Sequence, residues 1–157
     1  RTWDILFCGT GGQGVLKAAE VCGWAAIDGG YHVKKSEVHG MAQRGGSVES
    51  HLRFGEKVWS PLIPEGRAGF LVAFHHGEHE RMKHFLAPDG VDIMRHWNAM
   101  MHAVQDKRFL NTFLLGALSR YLPLSEANWQ KALTDAFRER KLEENLRIFA
   151  KGREAAQ

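Results

Sequence analysis

Cysteine is close to absent from this 157-residue chain, and the two present, Cys8 and Cys22, are too few for a disulfide framework or a four-cysteine iron–sulfur site. Any redox centre must therefore be supplied from elsewhere. No apolar run approaches the ~20 residues that cross a bilayer. The N-terminus also lacks a basic region followed by an apolar stretch and a cleavage site, so a soluble cytoplasmic protein without membrane association is expected. Charge of one sign is never concentrated: 21 basic and 18 acidic residues are interspersed for a net +3, which leaves no basic arm or stripe for nucleic acid. The small surplus fits modest attraction to phosphates or to an acidic partner. No internal repeat or low-complexity tract occurs, and 44% hydrophobic with 25% charged residues excludes disorder, collagen and coiled coil as readings of the whole chain.

What remains is an ordinary globular composition of single-domain length. Ile5, Leu6 and Phe7, within Trp3 to Cys8, read as a strand buried on both faces. A glycine turn follows, then broadly apolar spacing from Val15 to Ala26 that predicts a largely buried helix closed by Gly29 and Gly30. Tyr31 to Val33 reads as a short second strand, completing the order of a βαβ unit. Lys34 to Gly46 reads as a polar loop punctuated by Gly40, Gly45 and Gly46. Alternation predicts a half-buried strand over Ser47 to Phe54, with a turn at Gly55 to Lys57 leading into Val58-Trp59. Pro61 and Pro64 break the chain, Phe70 to Phe74 is a second apolar strand, Glu78 to Leu86 a helix, and Gly90 to Met94 a further strand. Trp97 to Asp106 has no decided pattern. Helical spacing then runs over Phe109 to Leu122, Glu126 to Phe137 and Leu142 to Ala150, with Pro123 and the cap-like Ser125 between the first two. The expected fold is α/β: one three-layer α/β/α Rossmann-like domain over 1–157, with a mostly parallel sheet in 1–106 and a helical C-terminal cover in 107–157.

Two stretches carry candidate chemistry. Gly9-Thr10-Gly11-Gly12-Gln13-Gly14 satisfies G-x-G-x-x-G directly after a buried strand and before a helix, where free N–H groups and the helix dipole favour an anion such as a diphosphate. The alternative is that the glycines merely let helix pack on strand. A dinucleotide reader also needs an acidic residue at the end of the second strand, and here that strand ends in Lys34-Lys35, so ordinary NAD binding is disfavoured while a phosphorylated ligand is tolerated. Ser36 to Val48 then packs Glu37, His39, Gln43, Arg44 and Ser47 into one glycine-rich segment at the sheet edge where open α/β sheets bind ligands. It offers a polar pair (Glu37, His39), an anion clamp (Arg44) and a second backbone cradle (Gly45, Gly46). Against this stands a plain polar surface loop. His75 to Glu80 invites a metal reading, but it is not H-E-x-x-H, and Gly77 argues for a solvated loop with Glu78 as cap, so no metal site is expected.

GTGGQG at Gly9 to Gly14, SEVHGMAQRGGSV at Ser36 to Val48, SPLIP at Ser60 to Pro64 and NTFLLGAL at Asn111 to Leu118 together resemble the gamma subunit or domain of 2-oxoacid:ferredoxin oxidoreductases, nearest the beta subunit of the indolepyruvate enzymes. The resemblance implies a small non-autonomous subunit in a cytoplasmic hetero-oligomer. It implies a larger partner carrying thiamine diphosphate with magnesium and the iron–sulfur clusters, coenzyme A as co-substrate, and ferredoxin as the acceptor reached through the complex. Under it, Gly9, Gly11, Gly12, Gln13, Gly14, Gln43, Arg44, Gly45, Gly46 and Ser47 contribute to the cofactor or CoA cleft, and Glu37 and His39 to polar positioning at the active site. The chain departs from the family pattern in having His75-His76-Gly77 where an acidic, Leu-rich stretch is usual, and in a shortened segment between Met94 and Phe109, which leaves the 2-oxoacid open. Two other readings compete: a stand-alone Rossmann-like module that binds a phosphorylated cofactor and regulates a partner, and a purely structural subunit that only closes the partner's cleft.

Overall fold

In the computed structural model, which describes residues 1–40 and 46–157, strand β1 (Thr2–Thr10) lies at the centre of a five-stranded sheet. Ile5 to Cys8 are fully buried because both faces of β1 are covered. Ile5 and Phe7 enter the larger apolar cluster on one face, Leu6 and Cys8 the smaller one on the other. The remaining strands are β2 (His32–His39), β3 (Ser47–Gly55), β4 (Ala68–Ala73) and β5 (Leu86–Asp92), in the spatial order β2-β3-β1-β4-β5. β4 pairs parallel with β1 and β5 parallel with β4, whereas β3 is antiparallel to both β1 and β2. Four of the five strands thus point the same way, as a mostly parallel sheet requires. The insertion of β3 between β1 and β2 nevertheless makes two of the four pairings antiparallel, so the sheet is mixed.

The two layers beside the sheet are unequal. The larger cluster is closed by α1 (Val15–Asp28), α4 (Leu110–Ser119), α5 (Glu126–Phe137) and α6 (Leu142–Ala155). α4 and α6 cross at glycine: a Cβ on Gly116 would strike the Phe149 carbonyl, and one on Gly152 the Phe113 carbonyl. Only bare backbone permits that approach. α5 starts at a capping box in which the Ser125 hydroxyl accepts from the Asn128 N–H and the Asn128 side chain accepts from the Ser125 N–H. The opposite face has a thin cover, α2 (His76–Met82) and the connection 56–67, which supply Met82 and Ile63 to the smaller cluster.

Three expectations need correction, and one undecided stretch is settled. Lys34 to His39 is not loop: it continues β2, paired residue by residue with β3. As an outermost strand it is half exposed, so its polar composition hides the element. Val58-Trp59 is irregular chain, with Val58 buried and Trp59 79% exposed. The helix expected over Glu78 to Leu86 is instead α2 followed by a 3-10 turn at Lys83–Phe85, and Leu86 opens β5. Trp97 to Ala103 is helix α3, with Met100 fully buried and Met101 exposed.

Candidate functional site

The C-terminal ends of β1, β2 and β4 lie at one edge of the sheet, where the glycine loop and the β2–β3 hairpin meet. The Gly40 N–H donates to the Ser47 carbonyl (2.6 Å), closing the hairpin, and the Gly11 N–H donates to the Gly46 carbonyl (2.9 Å). Thr10 stands opposite Ser47 in the β1–β3 register. The structure therefore joins Gly11, Gly46 and Ser47, which are far apart in sequence. Gln43, Arg44 and Gly45 lie outside the described residues.

Within the glycine loop the residues divide by task. A Cβ on Gly9 would sit 2.8 Å from both Gln13 Oε1 and Val15 Cγ2, so Gly9 serves close packing. Gly14 has φ +77° and faces the Asn111 side chain, whose amide donates to the Gly14 carbonyl (3.4 Å); it too is required by geometry and packing. Gln13 folds back, its Oε1 accepting the Thr10 N–H at 2.7 Å. Gly12, at φ +90°, faces open space. It borders a cleft of about 340 Å³ lined also by Phe74, Lys107, Arg108, Leu110 and Asn111. α1 begins here with neither a side-chain cap nor an acidic residue in its first turn, so its N–H groups and dipole add to the positive potential of Lys107 and Arg108. Asp106, hydrogen-bonded to Arg108, has its carboxyl held down to about 2 and stays ionised, offsetting part of that charge. Lys107 and Arg108 were not legible as site residues, since they sit in an unpatterned stretch before α4.

Glu37 and His39 lie on the edge strand. His39 occupies the cross-strand row of Val48 and Gly9, and Glu37 the row two residues further in, with Ser50 and Phe7. Glu37 binds Lys35 Nζ at 3.1 Å and approaches His39 Nε2 at 4.0 Å. Among the described residues neither makes a hydrogen bond to the glycine loop.

A second cluster, under α2, escaped the sequence reading. Alternate β3 residues Ser47, Glu49 and His51 point to that face. His51 Nδ1 accepts the Ile63 N–H (3.1 Å), so the ring carries its proton on Nε2, which donates to Glu49 Oε2 at 2.9 Å. That bond, reinforced by Arg81 at 3.4 Å, holds the Glu49 carboxyl below the usual range against the opposing effect of burial. Arg81 also binds buried Glu78 at 2.9 and 3.2 Å, and Glu78 Oε2 accepts the Ser47 hydroxyl at 2.8 Å. A chain of polar contacts thus runs from the hairpin root to the connection 56–67. Glu78 is consequently no solvated cap: His75 Nδ1 caps α2, accepting from Gly77 and Glu78. His79 is tied to Asp92 at 2.6 Å. The alternation of polar residues along Ser47, Glu49 and His51 was the signal, but it is equally the pattern of a solvated face. Cys8 and Cys22 are buried on opposite faces of the sheet, and burial pushes the Cys8 thiol up to about 12, so neither presents a thiolate.

Mixed sheet, unequal helical layers and a glycine loop meeting a hairpin at the strand ends define a Rossmann-like α/β domain. The gamma subunit of a keto/oxoacid ferredoxin oxidoreductase from Geobacter sulfurreducens superposes with TM-score 0.76 over 98% of both chains at 22% identity. The 2-oxoglutarate:ferredoxin oxidoreductase of Magnetococcus marinus does so with TM-score 0.80 over 99% of this chain and 31% of its own, at 20% identity. The sequence matches the family described as pyruvate ferredoxin/flavodoxin oxidoreductase over residues 4–97 and 92–155, and the chain belongs to that family. It is 44% identical over 91 residues to the indolepyruvate oxidoreductase subunit IorB of Thermococcus kodakarensis and 47% over 91 residues to that of Archaeoglobus fulgidus. Each match spans 58% of this chain and 45% of the relative, so the chain accounts for less than half the length of these proteins. Among the described residues no helix is long and apolar enough to cross a membrane, and no group of three or more His, Cys, Asp or Glu is disposed to hold a metal ion.

Proposed function

We propose that the chain is the small subunit, or part of it, of a thiamine-diphosphate-dependent 2-oxoacid:ferredoxin oxidoreductase of the indolepyruvate type. The observation that carries this is that the family match over residues 4–97 contains the glycine loop and the root of the hairpin, which the structure brings to a single edge. In this reading the larger chain holds thiamine diphosphate, magnesium and the iron–sulfur clusters, and electrons leave through the complex to ferredoxin. The buried thiols of this chain are unsuited to ligate a cluster. Its own residues supply a wall of the cleft. The backbone at Gly12 and the start of α1, with Lys107 and Arg108 nearby, suits the phosphates of coenzyme A or of the diphosphate cofactor, and the Gly11 to Gly46 hydrogen bond fixes the loop beside it. Ser47 belongs to the same wall, Gln43, Arg44 and Gly45 are assigned to cofactor or CoA contact on the family resemblance alone, and Glu37 and His39 give polar positioning from the neighbouring strand. The complex works in the cytoplasm.

Arg44→Ala in the assembled complex tests the assignment. Loss of one charge-assisted contact to an anionic ligand lowers turnover roughly ten- to hundredfold with unchanged melting of the complex. Wild-type turnover removes Arg44 from the site. Activity lost solely in proportion to lost assembly makes the subunit structural. Tight nucleotide binding by the chain alone, in calorimetry, favours the stand-alone regulatory module.

A further inference from the structure

The two edges of the sheet are finished differently. β5 contains Pro88 and Gly90, and its pairing with β4 shifts register between Ala68 and Phe70. Proline, glycine and a bulge each make an edge unfit to receive another strand. β2 has none of these. Its eight residues contain neither proline nor glycine, pair with β3 without a break, and among the described residues pair with no second strand. Its outer N–H and C=O groups form a row open to further pairing.

The surface beside that row is apolar. Lys35, Glu37 and His39 point to the side of α1, because they stand opposite Leu52, Ser50 and Val48 of β3. Above them α1 exposes Trp24 (58%) and Ile27 (48%), which with Gly23, Val33 and Lys35 line a shallow trough along the strand. A single exposed tryptophan is common on soluble proteins. Two large apolar side chains flanking an open strand edge are a surface that another strand and helix would cover.

We propose that a second copy of this chain docks there, β2 against β2, antiparallel about a two-fold axis through Ser36. In a continuous sheet with that symmetry, facing residues lie on the same side, so the axis passes through one residue and its neighbours pair reciprocally. Centring on Lys34, Lys35 or Glu37 sets like charges against each other at the axis. Centring on Val33 or Val38 overlaps only a few residues. Centring on Ser36 sets Lys35 opposite the second copy's Glu37 and Glu37 opposite its Lys35, two opposite-charge pairs flanking a serine pair. The order Lys-Ser-Glu is thus self-complementary, which a two-fold contact needs and an unrelated strand does not. In the same arrangement the two α1 helices run side by side, and Trp24 and Ile27 of each meet across the axis. The inference does not rest on the catalytic reading, although Glu37 figures in both, and its readouts are particle composition and cross-linking, not turnover.

Charge exchange tests it in the full chain, purified with whatever subunits accompany it. By sedimentation velocity the wild-type particle contains two copies of the chain. Lys35→Glu places four carboxylates together and weakens the pairing at least about tenfold, and Lys35→Glu with Glu37→Lys restores it. Ser36→Cys brings two thiols together at the axis, and mild oxidation then yields a disulfide-linked pair of this chain on a non-reducing gel; Cys8 and Cys22 are buried and do not compete. In a particle that other subunits also hold together, the cross-link is decisive. A single copy in the wild-type particle, absence of that cross-link, or a cross-link from Ser36→Cys to a different protein overturns the proposal.

Discussion

On the face covered by α1, α4, α5 and α6, the inward residues of β1 and its neighbours are Ile5, Phe7, Leu52, Phe54, Phe70 and Val72, packed among more than twenty other buried apolar side chains. On the face under α2, the same strands present Leu6, Cys8, Leu71 and Ala73 beside Glu49 and His51, with Glu78 and Arg81 closing over them. The first face draws its stability from apolar area and backbone contact, which are indifferent to pH and sensitive to volume. The second is held by charge-assisted hydrogen bonds, which tolerate less change of charge and respond to acid. The difference is also one of role: the second network reaches Ser47, at the root of the hairpin beside the candidate site, through its hydrogen bond to Glu78.

That contrast can be broken from either side, and the largest effect belongs to the apolar face. Gly152→Val drives a branched side chain into the Phe113 carbonyl on α4, and the helices must separate. The expected loss is about 3 kcal/mol or more, read as a fall in Tm. An unchanged Tm means that α4 and α6 do not cross at this point.

Arg81→Met tests the charged face. Glu49 and Glu78 then remain buried without their shared cation; because Arg81 is itself 39% exposed, the cost is reduced to about 1–3 kcal/mol at neutral pH. The sign of the pH effect follows from Glu49, held low chiefly by the His51 hydrogen bond and also by Arg81. A carboxyl lower in the folded than in the unfolded chain contributes stability fully above about pH 4.3 and loses it as pH falls through its folded value. Wild-type stability therefore declines below that pH, and the gap to Arg81→Met narrows. Urea unfolding at pH 7 and pH 4 measures both, and a gap that widens in acid contradicts the assignment.

The smallest change falls at the periphery. Ser125→Ala removes one half of the α5 capping box and costs about 1 kcal/mol, with no pH dependence between 5 and 8. A loss several times larger would mean that α5 is docked through its cap and not through buried Trp129 and Leu133.

How much of this could be read from residues alone follows the same division. β1, the glycine loop and α1 were legible because continuous burial and a glycine turn leave few alternatives. The C-terminal helices were legible from their spacing, and Ser125 from its position after Pro123. Of β2 only the start was, as the strand expected over Tyr31 to Val33, because an edge strand with both faces half exposed has no apolar period to display; the one signal for the rest was the absence of glycine and proline before Gly40. The polarity of β3 also misled, since Glu49 and His51 are buried against partners from α2 and the connection 56–67 that no local pattern could supply. At the candidate site, Gly11, Gly46 and Ser47 were anticipated together. The division between packing glycines (Gly9, Gly14) and the open Gly12 depends on Asn111 and Val15 in three dimensions.

Anaerobic affinity purification of this chain from its native host, with mass spectrometry and cofactor analysis of what accompanies it, bears most directly on the account. The expected result is a brown, stoichiometric complex with a larger chain that carries thiamine diphosphate and iron–sulfur clusters. A colourless chain recovered alone under gentle anaerobic conditions would contradict it.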